Sequence, residues 1–287
     1  MFKISKENKS AFRYLGLDLT QSNGVLCVDQ SAYVETISPI ELRRTATAKT
    51  SSEHVTPEIH TAYRALVGQL SWACGTTRPD ISFDCCVLST QQTKPTFKNV
   101  SDANKSIRDA KSNKYPLKFQ KLDIPSIRIT VYSDASFANL PDGSSQGGHI
   151  IFLCDNLMNC VPISWASKKV KRVVRSTLAA ETLAATDALD SAYLVSKLLA
   201  EFLSENKTRE IELVTDNKSL YEAVNTSNLL MDKRLRVEIS SLREMVEKDK
   251  VSVKWVNAAE QLADVLTKKG APKKKLINVL KSGNMNV

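Results

Sequence analysis

Four acidic residues in the second half of the chain, each closing or opening an apolar stretch, constrain its fold more than any other feature. They are Asp134 in VYSDAS, Glu181 in STLAAET, Asp216 in LVTDNKS and Asp264 in QLADVLT. Two of the three Asp residues end strand-like runs, whereas Glu181 and Asp264 sit in helix-like contexts. A sheet with such strands side by side brings carboxylates from distant positions to one edge. Clustered carboxylates repel one another and are costly unless a cation joins them, and an all-oxygen set suits a hard divalent metal. Two such ions, roughly 3.5–4 Å apart, are an apparatus for phosphodiester cleavage. The pattern therefore points to a nuclease.

Each acid taken singly also has a bland role open to it. Asp134 can cap a turn, and Asp216-Asn217 can cap the helix that follows. Glu181 can be a helix-surface charge and Asp264 a first-turn partner of the helix dipole.

The surrounding pattern predicts a mixed α/β sheet. Ile127, Ile129 and Val131 alternate with Arg128, Thr130 and Tyr132, the period of a strand. GHIIFLC and VPISWAS read as two further strands after the PDGSSQGG turn. Arg175 to Leu203 reads as a long helix with Leu194, Leu198 and Phe202 on one face. IELVTD is a strand, short helices run through Lys248, VSVKWV is a last strand, and AEQLADVLTKK is a last amphipathic helix before a lysine-rich tail. Three strands followed by α-β-α-β-α make a mixed sheet flanked by helices.

The first half differs. FRYLGLDLT and VLCVDQ flank Asn23-Gly24, a tight hairpin signal. A helix is expected from about Ser31 to Ile37, then a polar loop from Arg43 to Pro57. A second helix runs from Ile59 to Ala73 with Ala62, Leu66, Leu70 and Ala73 on one face. Arg78-Pro79-Asp80 breaks and restarts a helix, and a third covers Asn99 to Lys111. Residues 115–125 carry two prolines and no periodicity. The expected division is residues 1–115, a linker at 116–126, a second domain at 127–270 and a basic tail at 271–287.

A chain of 287 residues with formal net charge +9 favours a polyanionic partner. KKVKR, including Lys168 and Lys169, and KKGAPKKK are the dense basic runs, readable as solvated faces or substrate contacts. The six cysteines form no CxxC pair and read as buried free thiols of a reducing compartment. The three histidines lack zinc spacing. No apolar run is long enough for a membrane span, and MFKISKENKS has no signal-peptide core. These features predict an intracellular protein, cytoplasmic or nuclear, with no membrane partner. Trp72, Trp165 and Trp255 read as core residues.

The order of elements and acids resembles the ribonuclease H domain of copia-type retrotransposon Pol polyproteins. YSDASFAN, ISWASKK followed by STLAAETLA, TDNKSL and AEQLADVLTK carry that resemblance. YLGLDL and AYRALVGQLSWACGTTRPDISF resemble the end of the reverse transcriptase that precedes it, so the likeness runs from about Arg13 to Lys269. It implies a ribonuclease H-like five-stranded sheet preceded by a smaller, mostly helical thumb- or connection-like region with a β-hairpin. It further implies two Mg²⁺ ions, with Mn²⁺ as substitute, held by Asp134, Glu181, Asp216 and Asp264. The implied substrate is an RNA–DNA hybrid, with Thr177, Asn217, Ser219, Lys168 and Lys169 as candidate contacts. The implied partner is the polymerase half of the polyprotein, and the implied setting a virus-like particle.

Two departures stand out. No Asp-Asp pair occurs in the sequence, so polymerase chemistry is not expected of it. No histidine follows Asp216, where DKRLRVEISSLRE replaces a Lys-His-Ile-Asp-like phrase, so slower product release is expected. The rival expectation is a decayed or repurposed element that binds nucleic acid without cutting it.

Overall fold

A computed structural model describes residues 10–42, 51–226, 232–248 and 251–287. Two compact units emerge. One holds the chain up to Lys121 together with Leu280–Gly283, and the other holds Leu122–Val279 with Asn284–Val287.

The first unit pairs a small sheet with a helical core. Strands β1 (Ala11–Tyr14), β2 (Leu17–Ser22) and β3 (Val25–Asp29) form an antiparallel meander. Asn23 (φ 51°) and Gly24 (φ 76°) take the left-handed angles that a two-residue hairpin turn demands. The stretch expected to be an irregular linker contains β4 (Leu117–Phe119), which pairs with β3. Three residues are too few to show a period.

Helix α1 spans Ser31–Thr36. Of the polar stretch from Arg43 to Pro57, residues 43–50 lie outside the described residues. Helix α2 (Pro57–Thr76) starts with Pro57 at its first turn and with Thr56 Oγ1 accepting from the Ile59 N–H. It buries Tyr63, Leu66, Val67, Leu70 and Ala73, while Trp72, expected inside, is 43% exposed. Helices α3 (Ser82–Thr90) and α4 (Phe97–Ser112) complete that core. Between α2 and α3, buried Arg78 donates to both Asp80 oxygens at 2.8 Å and to the Ala110 carbonyl at 2.7 Å. The Tyr115 hydroxyl donates to Asp80 at 2.6 Å. A buried charge held this fully is a structural clamp.

The second unit is a five-stranded mixed sheet. Strands β5 (Arg128–Ser136), β6 (Gln146–Cys154) and β7 (Cys160–Lys169) are antiparallel, while β8 (Ile211–Thr215) and β9 (Val251–Trp255) are parallel additions, in the order β7-β6-β5-β8-β9. Helix α5 (Thr177–Phe202) connects β7 to β8, and α6 (Lys218–Asn225) and α7 (Lys233–Lys248) lead on to β9. This is the mixed sheet flanked by helices that the residue pattern predicts, in the ribonuclease H-like arrangement that the resemblance implies.

Helix α5 meets the sheet through small residues: Ala185, Ala188, Leu189 and Ala192 pack with Ile129, Val131, Ile151 and Leu213. Leu194, Leu198 and Phe202, which share one face of the helix, are 60%, 55% and 87% exposed. At roughly 100° per residue, position 194 lies about 200° round the helix from Ala192 and so points away from the sheet. Apolar periodicity reports a face, and here the alanine face is the one that fits.

The terminal segment also departs from expectation. In place of one amphipathic helix there are two 3-10 turns, Ala258–Glu260 and Leu262–Leu266. Gln261 separates them with extended backbone (φ −75°, ψ 107°), because its amide donates to the Ser133 carbonyl of β5 at 2.9 Å. The lysine-rich stretch beyond contains helix α8 (Lys274–Ser282). All six cysteines are free among the described residues. No helix among those residues is long and apolar enough to cross a membrane.

Candidate active site

Parallel pairing of β5 and β8 sets the site. Tyr132 pairs with Val214, so Asp134, two residues further along β5, is brought beside Asp216, the residue just past the end of β8. Glu181 arrives from the first turns of α5, whose start is capped by Ser176 Oγ accepting from the Ala179 N–H at 3.1 Å. Asp134, Glu181 and Asp216 each place a carboxylate oxygen within 4.8 Å of the others. Asp134 is 1% exposed and Glu181 4%.

Asp264 is placed differently. It lies outside this trio and joins it through Lys268, whose ammonium donates to Asp264 Oδ1 at 2.6 Å and to Asp134 Oδ1 at 3.3 Å. The Thr267 hydroxyl donates to the other Asp134 oxygen. The segment that carries Thr267 and Lys268 is pinned to the sheet. Ser136 Oγ donates to the Thr267 carbonyl at 2.9 Å, and Ser167 Oγ to the Leu266 carbonyl at 2.6 Å.

Burial dominates the electrostatics. It pushes the Asp134 carboxyl up to about 6, against the lowering pull of Lys268 and Thr267. Glu181 is pushed up to about 9, first by burial and then by the charges of Asp134 and Asp216. Burial works against charge on Lys268, yet Asp134 and Asp264 outweigh it and raise that group above its ordinary value. On β6, burial pulls His149 down to about 4, with Lys168 adding to the effect.

The donors fit a hard cation. They are all carboxylate oxygens, and buried Glu181 Oε2 has no hydrogen-bond partner among the described residues. A buried carboxyl oxygen without a partner is costly, and a divalent ion, which favours the ionised form of each carboxyl, is the occupant that relieves both it and the mutual repulsion.

A cleft of about 580 Å³ opens over the trio, lined also by Ser136, Phe137, Asn139, Thr177, Asn217 and Lys268. Thr177 and Asn217, expected as contacts, are thus at the cleft. Asn217 Oδ1 caps α6 by accepting from the Leu220 N–H at 2.9 Å, and the Asn217 side chain also hydrogen-bonds Glu181. Ser219, Lys168 and Lys169 are outside its lining, and Lys169 is paired with Asp142.

Sequence reasoning passed over Asn139, whose only signal is its place five residues after Asp134. Lys268, first of the KKGAPKKK run read as a solvated face or a substrate contact, is instead an ion-pair partner of Asp134 and Asp264. Trp255, expected in the core, is 45% exposed, and its indole N–H donates to the Asp216 carbonyl at 3.0 Å.

No protein-family model matches the chain. It is 31% identical over 211 residues to the retrovirus-related Pol polyprotein from transposon RE1 of Arabidopsis thaliana, covering 72% of this chain and 14% of that protein. The match thus spans about one seventh of that relative's length. Among solved structures, a foamy viral protease-reverse transcriptase in complex with double-stranded DNA superposes with a TM-score of 0.50 and 14% identity, over 86% of this chain and 38% of that one. The N-terminal ribonuclease H domain of a Mycobacterium tuberculosis protein aligns over 50% of this chain and 91% of that domain, with 17% identity and a TM-score of 0.37. By sequence the chain is a homologue of the Pol polyproteins of copia-type retrotransposons, and its second unit has a ribonuclease H-like fold.

Proposed function

We propose that the second unit hydrolyses the RNA strand of RNA–DNA hybrids. The observation that carries this reading is the convergence of Asp134, Glu181 and Asp216 within 4.8 Å at one end of the sheet, on a fold of ribonuclease H type. Those three residues would hold divalent ions, Mg²⁺ with Mn²⁺ as substitute, and Asp264 would join them once its carboxylate is released from Lys268. Bound ions of this kind lower the pKa of a coordinated water and offset charge on the leaving oxygen.

The chain's own groups do the rest. Asn217 orients Glu181 through their hydrogen bond. Thr177 and Asn139 line the cleft, where a hydroxyl and an amide can donate to a phosphate oxygen or pair with a ribose 2′-hydroxyl. Such contacts read backbone and not base, so cutting is expected to be largely independent of sequence. Exposed Lys168 and Lys171 add positive charge beyond the cleft for the duplex backbone. The transposon RE1 relative is a much longer protein, and in such a setting the polymerase portion is the proposed partner that delivers the hybrid.

The test is cleavage of a labelled hybrid in Mg²⁺ or EDTA by the parent and by Glu181→Gln. Metal-dependent loss of the RNA strand with the parent alone supports the proposal. A folded parent that binds hybrid equally with and without Mg²⁺, and never cuts it, would establish the rival function of nucleic-acid binding. One observation favours that rival: Lys268 already holds Asp134 and Asp264.

A further inference from the structure

We infer that Lys268 is a resident counter-ion of the carboxylate cluster, which divalent metal must displace to bind. The inference rests on the reading that this cluster is a metal site. Its ammonium sits between Asp134 and Asp264, at 3.3 and 2.6 Å, on two of the carboxylates assigned to the proposed metal site.

The geometry sets up an exchange of cations. Asp134 is 1% exposed at its side chain and Asp264 18%, but Lys268 is 39% exposed, so its stem enters from the cleft and leaves the same way. Only that stem has to move. The backbone on either side is held by Ser136 on the Thr267 carbonyl, and by the Asp264 carbonyl accepting from the Thr267 and Lys268 N–H groups at 3.1 and 3.0 Å.

Lys268 is an incomplete substitute for a metal. It is monovalent against several carboxylates, and it leaves Glu181 Oε2 without a hydrogen-bond partner among the described residues. A divalent ion bound by Glu181 would satisfy that oxygen and supply twice the charge. Both Asp134 oxygens are already engaged, Oδ1 by the Lys268 ammonium and Oδ2 by the Thr267 hydroxyl, so an ion that takes Oδ1 takes it from the ammonium. Loading therefore requires the ammonium to withdraw, and its withdrawal frees Asp264 to become a ligand. The side chain ties the fourth acid to arrival of the ion.

The discriminating experiment measures Mn²⁺ affinity by electron paramagnetic resonance for the parent, Lys268→Met, Lys268→Arg and Asp134→Asn. Thermal melts in EDTA are taken alongside, to show that each variant folds. A competitor that occupies the site most of the time lowers apparent affinity by the fraction of time the site is open. Lys268→Met is therefore expected to bind Mn²⁺ roughly tenfold more tightly, as when the ammonium occupies the site about nine-tenths of the time. Lys268→Arg, which keeps the charge, should bind no better than the parent.

In EDTA, Lys268→Met should melt below the parent and then gain more from added Mn²⁺. Equal or weaker binding by a folded Lys268→Met would overturn the inference while leaving hybrid cleavage by the parent to stand. Mn²⁺ binding that survives in Asp134→Asn would show that this cluster is not the metal site, and would overturn both.

Discussion

Gly148 stands directly opposite Asp134 in the β5–β6 ladder, and its missing side chain is what lets the terminal segment reach the site. A Cβ there would lie 2.7 Å from Leu266 Cβ and 2.9 Å from Thr267 Cγ2. Its neighbour Gly147 faces α5, where a Cβ would meet Ala184 Cβ at 3.3 Å. Two adjacent glycines thus set how closely the sheet is approached by the helix that carries Glu181 and by the turn that carries Lys268.

Gly148→Ala should push residues 266–268 away from Asp134. Overpacking of this kind costs about 1–3 kcal/mol, to be read from urea unfolding, and hybrid cleavage should fall further than stability alone explains. Gly147→Ala, with only one moderately tight contact, should be the milder change in both assays.

Glu181→Gln should separate stability from activity. A carboxyl raised from 4.5 to about 9 in the folded state favours folding in its protonated form. Its contribution is therefore intact below pH 4.5 and is lost as pH rises toward 9. Gln removes that loss, so in EDTA at pH 8 the variant should melt at or above the parent. It should also lose the stabilisation that Mn²⁺ gives the parent, and all cleavage. A variant that melts well below the parent under those conditions would contradict the assigned burial cost.

His149 predicts the acid limb of the stability curve. Burial lowers it from 6.5 to about 4, so between those values the unfolded chain takes up a proton that the folded chain refuses. Stability from this group is full above pH 6.5 and falls as pH drops toward 4, by up to about 3 kcal/mol. Melting temperatures across that range should fall more steeply for the parent than for His149→Asn.

Replacing Leu194, Leu198 and Phe202 together by Ser should leave stability nearly unchanged. All three are more than half exposed, and surface substitutions of this kind usually stay within about 0.5 kcal/mol each. Solubility, followed by light scattering at rising concentration, should improve because an apolar stripe is removed. A large drop in melting temperature would mean that the stripe is packed after all.

Much of this protein is legible in one dimension. Alternation through Ile129 and Val131 marks β5, Asn23-Gly24 marks the hairpin, and acids at the ends of apolar runs mark three of the site's carboxylates. These signals are local, because strand period and turn conformation are properties of a few consecutive residues. The tertiary structure decided the remainder.

It chose the alanine face of α5 over the leucine face, since only small side chains let the helix lie against Gly147 and the sheet. It split the last expected helix at Gln261, whose side chain donates to the Ser133 carbonyl and accepts from the Ala263 N–H, capping the turn that follows. It turned Trp255 outward to hold the Asp216 carbonyl, and it drew Lys268 between Asp134 and Asp264. Each of those outcomes depends on a partner distant in sequence, and no local pattern records which partner will be there.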